Sequence, residues 1–325
     1  MSESRASAEL IADRGAAAES DELFRSRPFL DAEGVTHTLR IEAEGAALVA
    51  PLIVREIPGA DALDAISPYG YPGVSSVDCS IDPPIGGQRL QQALDPASVD
   101  WFPTGLVSLF IRHTLGDPPL TGAIERNVVQ IADPALPPKS RSSDRNQINR
   151  NRRAGYAVEL VAGPETSAAQ RAGFLAAYEQ TMRRAAAAER YFFAPAYFER
   201  ILASERSWLA IATAPGGEVA AASLTVRSDG FLHYYLSGSA DAHLRDSPMK
   251  NVLARLAELS AEAGLPLNLG GGISPGDRLE EFKRGFANRE QPWRTSEIVC
   301  DREAYDRLSA GRDARGFFPA YRAGS

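Results

Sequence analysis

Lysine is scarce in this chain. Only three of its 35 Lys and Arg residues are lysines, at positions 139, 250 and 283. Arginine is a permanently charged fork, whereas lysine is a compact donor whose pKa moves with its surroundings, so a retained ammonium marks a position where the two are not interchangeable. Cysteine is scarcer still. Cys79 and Cys300 stand far apart, which excludes a disulfide framework and zinc-ligand spacing and makes the cytoplasm the expected compartment. The four histidines are scattered, with no His-Glu-x-x-His and no Gly-x-Ser-x-Gly, so neither a metal site nor a hydrolase triad is expected. Long apolar runs are also missing. The stretch Ala46–Val54 is closed by Arg55, well short of the roughly 20 residues that span a bilayer. Residues 1–20 lack the apolar core of a signal peptide. No membrane insertion is expected.

What is present is the composition of a globular protein. Hydrophobic residues make up 44% of the 325 and charged residues 24%, and this length favours two domains over one core. The net charge of −7 repels nucleic acid in bulk, so any RNA contact needs a local basic patch. In the first half, residues 8–25 read as a helix ending near Arg27-Pro28. Thr36–Glu42 and Ala46–Ile57 read as a β-hairpin, Ser67–Gly73 as a loop, Gly86–Leu94 as a helix, and Val107–Arg112 and Arg126–Ile131 as strands. Asp133–Ser143 reads as a linker. Beyond it come a basic helix (Asp144–Ala154), a strand (Tyr156–Val161), a long helix (Ser167–Ala187) and a short one (Pro195–Ser204). Three strands follow with tight turns at Pro215-Gly-Gly217 and Asp229-Gly230, then a helix (Pro248–Ala263) and a strand (Leu265–Leu269). This order is that of a GNAT-type acyltransferase fold. The expected class is mixed α/β (α+β), two tandem GNAT-like domains with mostly antiparallel central sheets. The expected bounds are 1–135, 136–300 and a tail at 301–325.

The chemistry-bearing candidates are few. Lys283 follows the run Gly270–Gly272 and sits in Asp277-Arg-Leu-Glu-Glu-Phe282-Lys283-Arg-Gly-Phe286. A point-charge donor there suits an oxygen on which negative charge develops. The alternative is a surface lysine on a short amphipathic helix with Leu279, Phe282 and Phe286 facing the core. The glycine run is not a dinucleotide fingerprint, because Pro275 occupies the place of the third glycine. On the basic helix, Arg141, Arg145, Asn149 and Arg152 fall on one face, widened by Arg150 and Arg153. They form either a phosphate-binding face or a solvated one. Tyr178, Thr181 and Arg184 share a face of the long helix, and His233 and Tyr235 share a strand face, with a structural role the alternative for each. The turn Asp241–Asn251 has no glycine and contains Pro248, so a backbone nest for a pyrophosphate is hard to build there.

With these residues in view, the chain resembles the FemABX-like aminoacyltransferases, which carry two tandem GNAT-type domains. The resemblance rests on an ordered set: Pro68-Tyr-Gly-Tyr-Pro-Gly73, the basic helix ending Arg-Arg-Ala-Gly155, Tyr178…Thr181…Arg184, Tyr234-Tyr-Leu-Ser-Gly-Ser239 leading to Pro248-Met-Lys250, and Leu269-Gly-Gly-Gly with Lys283. It implies transfer of an amino acid from aminoacyl-tRNA to the amine of a peptide or small-molecule acceptor, without a cofactor. It implies that Lys283 contacts the reacting ester and that Phe282 stacks on the terminal nucleotide. The basic helix, Arg141, Arg145, Asn149, Arg150, Arg152 and Arg153, would track acceptor-stem phosphates. Tyr69, Tyr71, Arg184 and Tyr235 would surround the acceptor. Cell-wall members hold a nucleotide-linked precursor with a lysine in the first domain, and no lysine precedes Lys139 here. A smaller amine acceptor, such as a peptide natural-product intermediate, is therefore favoured. The rival expectations are an acyl-CoA-dependent N-acetyltransferase and a non-catalytic tRNA-binding protein.

Overall fold

The computed structural model describes residues 6–14, 20–43, 46–77 and 90–323. The chain divides into two units, one formed by Met1–Arg126 with Trp293–Ser325 and the other by Asn127–Pro292.

The first unit is built on the strand order β1 (Ser7–Ile11), β2 (His37–Ala43), β3 (Ala46–Glu56), β4 (Leu63–Ile66), β6 (Leu106–Arg112), with the two-residue β5 (Ser75–Ser76) also pairing β3. The expected hairpin is found, with β2 and β3 in antiparallel register from His37↔Leu52 to Ala43↔Ala46. The helix expected over residues 8–25 is not. Ala8–Ile11 lies instead in β1, antiparallel to β2, and residues 15–19 of that span lie outside the described residues. Ala, Glu and Leu are good helix formers, but pairing with β2 and burial of Ala8 override that preference. The first helix, α1 (Arg27–Glu33), begins where one was expected to end. Pro28 suits a first turn, where its missing N–H is not needed. Of the helix expected at Gly86–Leu94, α2 (Leu90–Ala93) is seen, and residues 78–89 are outside the described residues. Leu39, Ile41, Leu48, Leu52, Leu109 and Ile111 form the heart of this core.

The chain leaves the first unit within β7 (Ile124–Ala132) and returns within β13 (Arg289–Val299), whose Thr295–Val299 pairs with β6. It closes with α8 (Arg302–Ser309) and a segment whose Tyr321 and Arg322 reach Asp64. In the second unit, α3 (Ser142–Arg153) leads into β8 (Ala157–Ala162), α4 (Ala168–Arg184) and α5 (Pro195–Leu202). Then come β9 (Ser207–Thr213), β10 (Val219–Ser228) and β11 (Phe231–Ser239), followed by α6 (Met249–Ala263), β12 (Leu267–Gly270) and α7 (Arg278–Arg284). Strands β8 to β11 are antiparallel neighbours in sequence order. Asp229 and Gly230, both at positive φ, make the two-residue turn between β10 and β11. Ser167 and Gln170 form a capping box at the start of α4. Gly264, in the left-handed region, ends α6. The mixed α/β class with mostly antiparallel strands is found as expected. No helix among the described residues is long and apolar enough to cross a membrane.

Candidate active site

Strand β12 breaks the antiparallel pattern. It lies parallel to β11, in register only at Leu232↔Leu267 and His233↔Asn268, and antiparallel to β7. Past His233, β11 continues to Ser239 while β12 runs into the glycine run. The carboxyl ends of parallel neighbours where a strand order switches are usual places for a ligand.

A chain of hydrogen bonds holds this end of β12. The Nε2 of His233 faces the Ser228 carbonyl at 3.1 Å and therefore carries the proton, leaving Nδ1 to accept from Asn268 Nδ2 at 3.1 Å. Asn268 Oδ1 accepts from the Gly270 N–H at 2.8 Å. Burial lowers the His233 pKa to about 4, so the ring is neutral and its role is structural. Each glycine of the run is closely approached by a side chain. Gly270 has φ +75°, and a Cβ there would lie 3.1 Å from Lys283 Nζ. At Gly271 a Cβ would meet the Asn127 amide at 2.4 Å, and at Gly272 the Asp277 carboxylate at 2.5 Å.

Lys283 is buried, with 8% of its surface exposed. Its Nζ donates to the Gly271 carbonyl at 2.6 Å. Burial pushes its pKa down to about 8 against the opposing pull of Asp277. The ammonium form still predominates at neutral pH, with two donors left beyond the one on Gly271. The loop leading to it is organised by carboxylates. Asp277 accepts from the N–H groups of Ile273, Ser274 and Glu280, and the Glu280 bond is the first of several that lower its pKa. Glu280 accepts from Gly276 N–H at 2.9 Å and pairs with Arg284. The alternative of a surface lysine with Leu279 facing the core is not what is found: Leu279 is 40% exposed while Glu280 and Lys283 are buried. Helix α7 thus turns its charged side inward, because Gly276 N–H and the Gly271 carbonyl provide polar partners there. Phe286 is buried, and Phe282 packs against the same core with its ring 5.8 Å from that of Phe286.

The basic helix α3 abuts α7. Arg141 donates to the Glu281 carbonyl at 3.2 Å. Asp144, Ile148 and Asn151 are its buried side, while Arg145, Asn149, Arg150, Arg152 and Arg153 are exposed. Arg145 bonds the Ser140 carbonyl, and Arg152 lies 3.9 Å from Glu258. Asn151 and Gln147 bond the Asp246 carbonyl at 2.7 and 3.0 Å, tying α3 to the turn before α6.

The other expected residues have their own partners. Arg184 bonds Thr181, at 3.0 Å, and Asp241. Thr181 in turn accepts from the Ser239 N–H at 2.9 Å, fastening α4 to the end of β11. The Tyr235 hydroxyl meets that of Tyr197 at 2.7 Å, and Tyr197 stacks on Phe193 at 4.1 Å. Tyr69 and Tyr71 belong to the first unit. There the Tyr69 N–H donates to Glu33 at 2.8 Å, and the Tyr71 ring meets the edges of Phe24 and Trp293 at 5.7 and 5.9 Å. Gly70, at φ +99°, has no room for a Cβ against Phe24.

Asn268 and Asp144 have no functional part in the sequence expectations, and Asp277 and Lys250 stand there in motifs without a role of their own. Asp277 was the legible one, since Asp-x-x-Glu before a helix is a capping pattern. The rarity of lysine was a signal for Lys250 as much as for Lys283.

Residues 138–284 match the acetyltransferase (GNAT) domain family. Among solved structures, FemX matches with a TM-score of 0.58 at 12% identity, covering 90% of this chain and 96% of its own. L-PGS from Bacillus licheniformis matches with a TM-score of 0.53 at 14% identity, over 84% of this chain and 90% of its own. The C-terminal domain of a putative lysylphosphatidylglycerol synthetase from Agrobacterium fabrum does so with a TM-score of 0.52 at 14% identity, over 87% of this chain and 91% of its own. No curated protein matches the sequence. At such identities the likeness is one of fold. The fold is thus like that of FemX, and residues 138–284 match the GNAT acetyltransferase domain.

Proposed function

We propose that this acyltransferase-fold protein transfers an amino acid from aminoacyl-tRNA to the amine of a peptide or small-molecule acceptor, forming an amide bond. The observation that carries this reading is the buried ammonium of Lys283, fixed on the Gly271 carbonyl. An aminoacyl ester is already activated, so attack by an amine needs positioning and charge stabilisation more than a strong base. The amine nitrogen adds to the ester carbonyl and an oxyanion forms; its collapse breaks the ester C–O bond, and the ribose oxygen leaves as a hydroxyl carrying the proton that the nitrogen gives up. The free N–H donors of Lys283 stabilise the oxyanion or the departing ribose oxygen. The exposed arginines of α3, on the helix that abuts α7, supply a sequence-independent hold on phosphates.

The rival donor, acyl-CoA, fits the GNAT family in general, but the turn Asp241–Asn251 argues against it. The N–H groups of Asp241, His243, Ser247, Lys250 and Asn251 bond within the protein. Around the turn stand the carboxylates of Asp241, Asp246 and Glu218, with Asp246 held by Tyr156 at 2.7 Å and Glu218 by His243 at 3.1 Å. A pyrophosphate there would find few available backbone donors.

The test is incubation with a pool of labelled aminoacyl-tRNAs and a panel of amine acceptors. RNase-sensitive transfer of label from one charged tRNA is expected. Consumption of acetyl-CoA without such transfer would refute the reading, and salt-dependent tRNA binding without turnover would leave a binding protein.

A further inference from the structure

Two of the three lysines meet the same small region. Lys250, in the first turn of α6, pairs with Asp144 at 2.9 Å, and Asp144 lies buried in the first turn of α3. Lys283 is on α7, and the α3 side of α7 is where Asp144 points. The link is Gly285. Its backbone, at φ −64° and ψ −22°, is one that any residue adopts, so conformation does not explain a glycine there. Space does, because a Cβ on Gly285 would lie 2.9 Å from Asp144 Oδ2. The carboxylate therefore sits directly against the end of α7, with Arg141 on the Glu281 carbonyl as a second strut. That end is bonded back to the lysine itself, since the N–H groups of Phe286 and Ala287 donate to the Lys283 carbonyl at 3.0 and 3.2 Å. Pressure on Gly285 is thus pressure on Lys283.

We propose that Asp144 and Lys250 are positioning residues: their ion pair braces the end of α7 through the bare face of Gly285 and holds Lys283 Nζ on the Gly271 carbonyl. The pair acts through packing. Asp144 is not among the charges that shift Lys283, whose causes are burial and Asp277. Without Lys250 the buried carboxylate loses its partner and turns toward water, and α7 loses its stop. Helix α3, which carries Asp144, also carries the exposed arginines, so the phosphate-holding face and the reacting ammonium are parts of one braced body. The kinetic consequence rests on the transfer reading above, but the structural one does not.

The test uses full-length protein labelled with 15N-lysine, in which three side-chain signals report directly. In the wild type the Lys283 signal is expected to titrate near pH 8, where burial places its pKa. In Lys250→Met, and separately in Gly285→Ala, it is expected to titrate about one pH unit higher or more, as water reaches the ammonium. Transfer should fall about 10- to 100-fold in kcat, with KM for aminoacyl-tRNA unchanged within about two-fold. Lys250→Arg should restore both. Lys250→Met and Gly285→Ala proteins that fold and keep the wild-type Lys283 titration would overturn the brace. A wild type that transfers nothing would overturn the transfer reading, while the NMR titration still decides this one.

Discussion

Replacing Lys283 by methionine should make the protein more stable at neutral pH while removing its activity. The ammonium is buried, and its pKa falls from the ordinary 10.5 to about 8. At ~1.4 kcal/mol for each pH unit of that fall, holding the proton costs the folded state about 3 kcal/mol. Methionine fills similar space without a charge. It leaves the Gly271 carbonyl without its donor, a loss of ~1 kcal/mol, so the net gain near pH 7 is about 2 kcal/mol. The pH dependence gives a second check. Between pH 8 and 10.5 the unfolded chain keeps a proton on Lys283 that the folded chain has released. Wild-type stability therefore rises with pH across that window, and the advantage of Lys283→Met shrinks. Urea unfolding of both proteins at pH 7 and pH 10 measures this. A Lys283→Met protein less stable than wild type at pH 7, with the same difference at pH 10, would refute the reasoning.

Gly270→Ala places a side chain at φ +75° and 3.1 Å from Lys283 Nζ, and should cost ~1–2 kcal/mol from the left-handed backbone alone, measured by thermal or urea unfolding. A chain ending at Pro319 loses Tyr321 and Arg322, which reach Asp64 at 3.1 and 2.5 Å, leaving that buried carboxylate with Arg55 at 2.9 Å. Thermal unfolding should show a loss of about 3–5 kcal/mol, confined to the first unit. Burial lowers the His233 pKa from 6.5 to about 4, so below pH 6.5 the unfolded chain takes up a proton that the folded chain refuses. Stability should fall with pH over that window, by up to about 3 kcal/mol from this ring, and His233→Gln should flatten the urea-midpoint profile there.

The second unit was the more legible in sequence, for physical reasons. Its helices carry their own end signals: Ser167 with Gln170 at the start of α4 and Gly264 at the end of α6. Its hairpin turn at Asp229-Gly230 requires the positive φ that those residues tolerate. The start of the first unit was misread because Ala, Ser and Glu look helical, while the partner strand that settles Ala8–Ile11 begins at His37. Lys283 was legible by its rarity. Its burial was not, because an inward-facing ammonium depends on the Gly271 carbonyl brought up by β12. For the same reason nothing local marks Asn268 or Asp144, whose partners His233 and Lys250 are 35 and more than 100 residues away.

The central claim is that Lys283 serves amide formation from an aminoacyl ester. Its most direct test is the rate of transfer from a charged tRNA under single-turnover conditions, wild type against Lys283→Ala, with folding of both confirmed. The expected loss is about 10²- to 10³-fold, as for removal of one oxyanion donor. An unchanged rate in the folded variant would contradict it.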